Sequence, residues 1–200
     1  MPAHETLADL FHLFSIARHC VDDTVRRECE RIASTLPVHV IPPGADDDSA
    51  YLKRYGVADM ADGGHVYLHH IMRGDAEKRA CHDHPWPARA LILAGGYREE
   101  RRIPRGSFAN GYGVWTNDYL PGYTNIINAS TFHRIDLFGD VSAWTILITG
   151  PKLVRTEGEP SWSFWDRDTG VTTGYRDFLA ARGIDAVSTP QNLATEDRGL

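Results

Sequence analysis

From Thr6 to Leu36 apolar residues recur at helical spacing: Leu7, Leu10, Phe11, Phe14, Val21, Val25, Ile32 and Leu36. Residues three, four and seven apart share one face of a 3.6-residue helix, so the stretch predicts amphipathic helix. Asp22-Asp23-Thr24 reads as a cap dividing it into two helices. Cys29 lies near the stripe and reads as a small core residue rather than a nucleophile. "PPGADDDSA" (42–50) combines proline, glycine and an acidic run, the composition of a linker.

After about residue 64 the pattern shortens. "HVYLHHIMR", "ARALILAGGYREERR", "YTNIINA", "FHRIDLF" and "AWTILITG" are runs rich in β-branched and aromatic residues, separated by Gly, Pro, Asn and Asp turns. That spacing predicts an antiparallel sandwich or barrel. The adjacent glycines Gly95-Gly96 read as a bend at a barrel corner. "SWSFWDRDTGVTTG" (161–174) predicts two strands around a turn, and "YRDFLAARG" (175–183) a short helix with Thr173 as N-cap and Gly183 as stop. The expected organisation is an N-terminal helical extension over 1–41, a linker over 42–50, an all-β domain over 51–184 and a flexible polar tail over 185–200.

Composition narrows the function classes. The chain has 200 residues and a formal charge of −6, which argues against general binding to nucleic acid or anionic membrane. Lysine occurs only at 53, 78 and 152, so arginine supplies 18 of the 21 basic residues (21 − 3). Arginine is the better fork for a carboxylate, which leaves an anionic small ligand open. Three cysteines without CxxC spacing favour a reducing compartment. With no secretory signal pattern at Met1–Phe11, the expectation is a cytoplasmic protein acting on a small-molecule substrate.

The candidate chemistry sits in "CHDHPW" (81–86). On a strand, i and i+2 share a face, so His82 and His84 point together while Cys81 and Asp83 point the other way. Pro85 and Pro87 then force the chain off the ladder. His133, in "TFHRIDLF", adds a third imidazole about fifty residues later. A close pair plus a distant histidine on a facing strand gives a three-nitrogen site with room for substrate or water, the open arrangement of catalytic metals. Imidazole alone does not select the metal. Of His69 and His70, adjacent on one strand, only one can face the interior. Tyr97 and Tyr119 are candidates to offer a phenol, on chain position alone. Trp86 is a candidate wall of the site, Trp144 a core residue, and Trp162 and Trp165 packing for the late hairpin.

"HDHPWPARALILAGG" followed by "STFHRIDL" resembles the two metal-binding motifs of the cupin superfamily, small β-barrels or jelly rolls. The resemblance covers roughly residues 65–150. It makes His82, His84 and His133 the metal ligands and puts Gly96 at the motif's glycine. The motif's glutamate position is held by Arg89, and Asn128 and Ser130 stand where the second motif has Pro-x-Gly. Thiol dioxygenases are cupins that resemble this chain in using three histidines without glutamate. The resemblance therefore implies a divalent metal, with Fe(II) favoured and Zn, Ni or Mn as alternatives. It also implies dioxygenase-like oxidation of a small carboxylate- or thiol-bearing molecule, with Arg89 either anchoring the anion or pointing to solvent, and Tyr97 as the second catalytic candidate. Two rivals stay open: a metal-dependent isomerase or lyase on a sugar or keto acid, and a non-catalytic small-molecule-binding module. The amphipathic helices are candidates either to pack on the barrel or to form a homodimer interface.

Overall fold

The computed structural model describes residues 3–41, 50–75, 78–104, 111–154 and 162–181. Two helices open the chain, α1 (Ala3–Ile16) and α2 (Asp22–Ala33). Twelve strands follow: β1 (Val38–Ile41), β2 (Leu52–Asp59), β3 (His65–Ile71), β4 (Ala80–His82), β5 (Ala88–Ala94), β6 (Tyr97–Pro104), β7 (Tyr112–Tyr119), β8 (Thr124–Ile127), β9 (His133–Leu137), β10 (Ala143–Thr149), β11 (Ser163–Asp166) and β12 (Thr172–Gly174). Helix α3 (Tyr175–Ala180) comes last. The expected linker at 42–50 lies outside the described residues except for Ala50, and the expected stop Gly183 and tail 185–200 lie wholly outside them.

The strands form two six-stranded sheets, β1-β2-β3-β10-β5-β8 and β12-β11-β4-β9-β6-β7, with antiparallel pairing throughout. Stripped of β1, β2, β11 and β12, the central eight strands alternate between sheets as β3-β10-β5-β8 and β4-β9-β6-β7. That order is the double Greek key of a jelly roll. β1, within the stretch expected to be helical extension, instead lengthens the first sheet by pairing with β2.

Strand parity divides the interior from the outside. Leu52, Ile71, Ala88, Ala90, Ile92, Ala143 and Leu147 of the first sheet meet Tyr97 and Tyr119 of the second in the barrel core. The opposite face of the first sheet carries Leu68, Leu91, Leu93, Trp144 and Ile146, and here the helices dock through Leu10, Leu13, Val25, Cys29 and Ile32. The helices therefore complete a third layer. Asp22 does not cap α2: the preceding residue is Val21, without a side-chain cap bond, and Asp22 Oδ1 accepts the Gly95 amide at 2.8 Å. Arg26 adds bonds to Asp22 and to the Ser142 carbonyl, at 2.5 and 2.7 Å. Both residues clamp the helix to the β5–β6 corner.

That corner needs glycine. Gly95 has φ +72° and a Cβ there would lie 2.3 Å from the Ser142 carbonyl oxygen; Gly96 has φ +122° and would meet the Tyr119 carbonyl at 2.5 Å. The pair carries the chain from one sheet to the other and so sets β6 beneath the histidines. Among the described residues no helix is long and apolar enough to cross a membrane.

Candidate metal centre

His82 ends β4, opposite His133 of β9 in the ladder. His84 lies just beyond the strand, held there because Asp83 continues the pairing with β11. The Asp83 amide donates to the Ser163 carbonyl at 3.1 Å, and the Ser163 amide donates to Asp83 Oδ1 at 2.6 Å. Alternation then returns His84 to the face of His82, and Cys81 goes the other way into a cluster with Phe132 and Trp165. Burial pushes the Cys81 thiol up to about 12, so it is neither at the site nor available as a thiolate.

His82, His84 and His133 each offer one ring nitrogen within 4.8 Å of the others. The Nε2 atoms of His84 and His133 are 2.9 Å apart. Two nitrogens at a right angle about one ion, each about 2.1 Å from it, sit about 3 Å apart. The protonation states suit an ion as well. Desolvation lowers the pKa of His82, offset in part by Asp75, and drives that of His84 well below the ordinary value, reinforced by the charges of His82, His133, Arg54 and His69. Neutral imidazole is the form that binds a metal.

Glu99 is the residue that sequence reasoning missed. On β6, two positions from buried Tyr97, its side chain is fully buried and Oε1 accepts the His133 Nδ1 proton at 2.6 Å. With the proton fixed on Nδ1, the lone pair of Nε2 faces the other histidines. Burial works to raise the Glu99 pKa, but the bonds from His133 and from Arg101 (Nε to Oε2, 2.6 Å) hold it below the ordinary carboxylate value. Asn125 closes the network, its Nδ2 donating to Glu99 Oε1 at 3.0 Å and to the Tyr97 hydroxyl at 3.1 Å.

Aromatic rings wall the centre. Trp86 stacks on His84 at 4.4 Å and 10°. Trp162, expected only to pack the hairpin, stands edge-on to His82 at 5.9 Å, beside Phe164. Asp75 approaches His82 Nδ1 only to 3.9 Å, because its oxygens are taken by the Tyr51 hydroxyl at 2.5 Å and the Ile135 amide at 2.7 Å. His82 keeps 17% of its side chain exposed, so the centre is open on that side.

The structure does not bring Arg89 to the histidines. On β5 it falls between Ala88 and Ala90, which face the barrel core, and it is exposed on the outer face beside Ile126. Tyr97 is buried in the barrel, linked to His133 only through Asn125 and then Glu99, and desolvation raises its phenol pKa. It braces the network rather than touching the three nitrogens. Of the adjacent pair, His69 faces inward and His70 stacks on Trp144 on the helix-covered face, at 4.1 Å and 8°.

His82 and His84, at and just past the end of β4, meet His133 of the neighbouring strand β9 within one sheet of an eight-stranded double Greek key. The barrel is a jelly roll.

No protein-family model matches the chain, and no curated protein matches it. Solved structures similar to this barrel include the DMSP lyase DddQ from Ruegeria pomeroyi DSS-3, at 14% identity and TM-score 0.47, covering 74% of this chain and 78% of that one. Fe(II)-HppE with the alternative substrate (S)-1-HPP is similar at 12% identity and TM-score 0.43, covering 58% of this chain and 57% of that one. KdgF from Halomonas sp. is similar at 16% identity and TM-score 0.37, covering 54% and 87%. The chain spans little more than half the length of HppE.

Proposed function

We propose that this cupin-type protein is a metal-dependent enzyme that oxidises a small carboxylate- or thiol-bearing molecule, with Fe(II) as the working ion. The observation that carries the proposal is the set of three imidazoles with no carboxylate among them. Glu99 is committed to His133 Nδ1 and Arg101, and Asp75 to Tyr51 and Ile135. His82, His84 and His133 would hold the ion. A bound ferrous ion would keep its full charge and supply one-electron chemistry with O₂, which zinc cannot.

The protein's own part is positioning and exclusion. Glu99 holds the His133 proton on Nδ1 and the ring in one orientation. Trp86, Trp162 and Phe164 keep water from the flanks of the histidines, and the exposed edge of His82 leaves an approach for substrate.

The test is oxygen consumption by protein loaded with Fe(II) or Zn(II), offered a panel of small thiols and carboxylates. Uptake with iron and none with zinc is the expected result. Turnover of the same compounds with zinc, without oxygen uptake, would replace the proposal by Lewis-acid isomerase or lyase chemistry.

A further inference from the structure

The interior holds a cation that the metal reading does not use. Arg54 of β2 pairs in register with His69 of β3, on the face that carries Leu52 and Ile71 into the barrel core. Its Nε donates to His69 Nε2 at 3.1 Å, and its guanidinium lies over the Tyr67 ring at 5.0 Å. Tyr67 and His69 are themselves stacked, 5.9 Å apart, so the plane of the guanidinium is fixed by two neighbours. No carboxylate pairs with it among the described residues: Glu99 is bonded by Arg101 and His133, and Asp75 by Tyr51 and Ile135. Tyr67, under the guanidinium, and Trp86, which stacks on His84, pack against the same barrel core, so Arg54 lies on the inner face shared with the metal centre.

Arg54 is half-buried, and a guanidinium partly withdrawn from water without a counter-charge is costly to keep, because arginine does not shed its proton. Its two Nη groups have no protein acceptor among the described residues, and they form the edge of the fork that binds a carboxylate through two parallel hydrogen bonds. We propose that Arg54, oriented by His69 and Tyr67, is the anion subsite of the pocket and binds the carboxylate of a monoanionic substrate beside the three histidines. This proposal rests on the metal reading only for what lies beside the subsite. A single positive charge matches a carboxylate better than a phosphate dianion. The other Lys and Arg residues on the strands of this sheet, Lys53 and Arg89, fall on the outer parity, and Arg101 of the second sheet is already paired with Glu99. His69 accepts from Arg54 through Nε2, which leaves its proton on Nδ1 and its ring neutral, so it orients the fork without competing for the anion.

The test is NMR titration of propanoate, propanamide and inorganic phosphate into the full chain, both metal-loaded and chelator-treated, for wild type, Arg54→Gln and Arg54→Lys. Wild type should prefer propanoate to propanamide by about tenfold, and phosphate should bind more weakly than propanoate. Arg54→Gln should abolish the preference, and Arg54→Lys, which keeps the charge but not the fork, should retain part of it. No preference in either form of the wild type overturns the proposal without recourse to any variant. A full preference in loaded Arg54→Gln also overturns it, because the ion would then be taking the carboxylate. If the protein holds no metal but the preference persists and depends on Arg54, the subsite stands and the metal reading fails.

Discussion

At the scale of single residues, the metal centre depends on where protons sit. Glu99 fixes one on His133 Nδ1 and so directs Nε2 at the partner histidines. Glu99→Gln keeps the shape but loses the charged acceptor, and it should weaken metal affinity by about 10- to 100-fold while leaving the fold intact. Competition with a chromophoric chelator measures the affinity, and circular dichroism checks the fold; unchanged affinity would remove Glu99 from its positioning role. His70 gives a separate test away from the centre. Desolvation lowers its pKa from 6.5 to about 4, so the unfolded chain takes up a proton at a pH where the folded chain still refuses it. Stability from this group is complete above pH 6.5 and falls as the pH drops toward 4. His69, also depressed by burial, acts with the same sign. Denaturant unfolding across that window should show the decline, with a shallower slope in His70→Gln.

At the scale of elements, the β5–β6 corner is the point on which the centre depends. Gly95→Ala would force a Cβ to within 2.3 Å of a carbonyl oxygen at φ +72°. It should destabilise the protein by several kcal/mol, on the order of 2–4, with a matching fall in thermal midpoint. A midpoint within a degree of wild type would contradict this reading of the corner. What was legible from sequence follows from the same strands. The His82/His84 pair and His133 carried a local signal in their spacing and order, as did the helical stripes and the hairpin at 163–174. Arg89 did not. β5 is covered on both faces from Leu91 onward, by the barrel core on one side and the helices on the other. Its run "ARALILA" therefore loses the alternation that would have shown Arg89 pointing out. Glu99 and Arg54 were missed for a different reason. Each is a charge on an inward parity, visible only once the neighbours Tyr97 and Leu52 are known to be buried. For Glu99 a signal existed, two positions from an aromatic residue in an alternating run; for Arg54 the bulged strand gave none.

For the whole molecule, the helices serve as a lid on the first sheet's outer face. Leu68, Leu91, Leu93, Trp144 and Ile146 would become a contiguous apolar surface without α1 and α2. Removing residues 1–36 should leave a barrel that aggregates, read by light scattering during refolding. A monodisperse, folded truncation would show that the eight strands are self-sufficient and free the helices for another role.

The most direct test of the central claim is elemental analysis of protein purified after anaerobic loading with Fe(II), beside a His133→Ala variant of verified fold. The wild type should hold close to one iron per chain, and the variant should lose it. A wild-type protein that retains no divalent ion under these conditions, or a variant that retains it unchanged, would contradict a metal centre built from His82, His84 and His133.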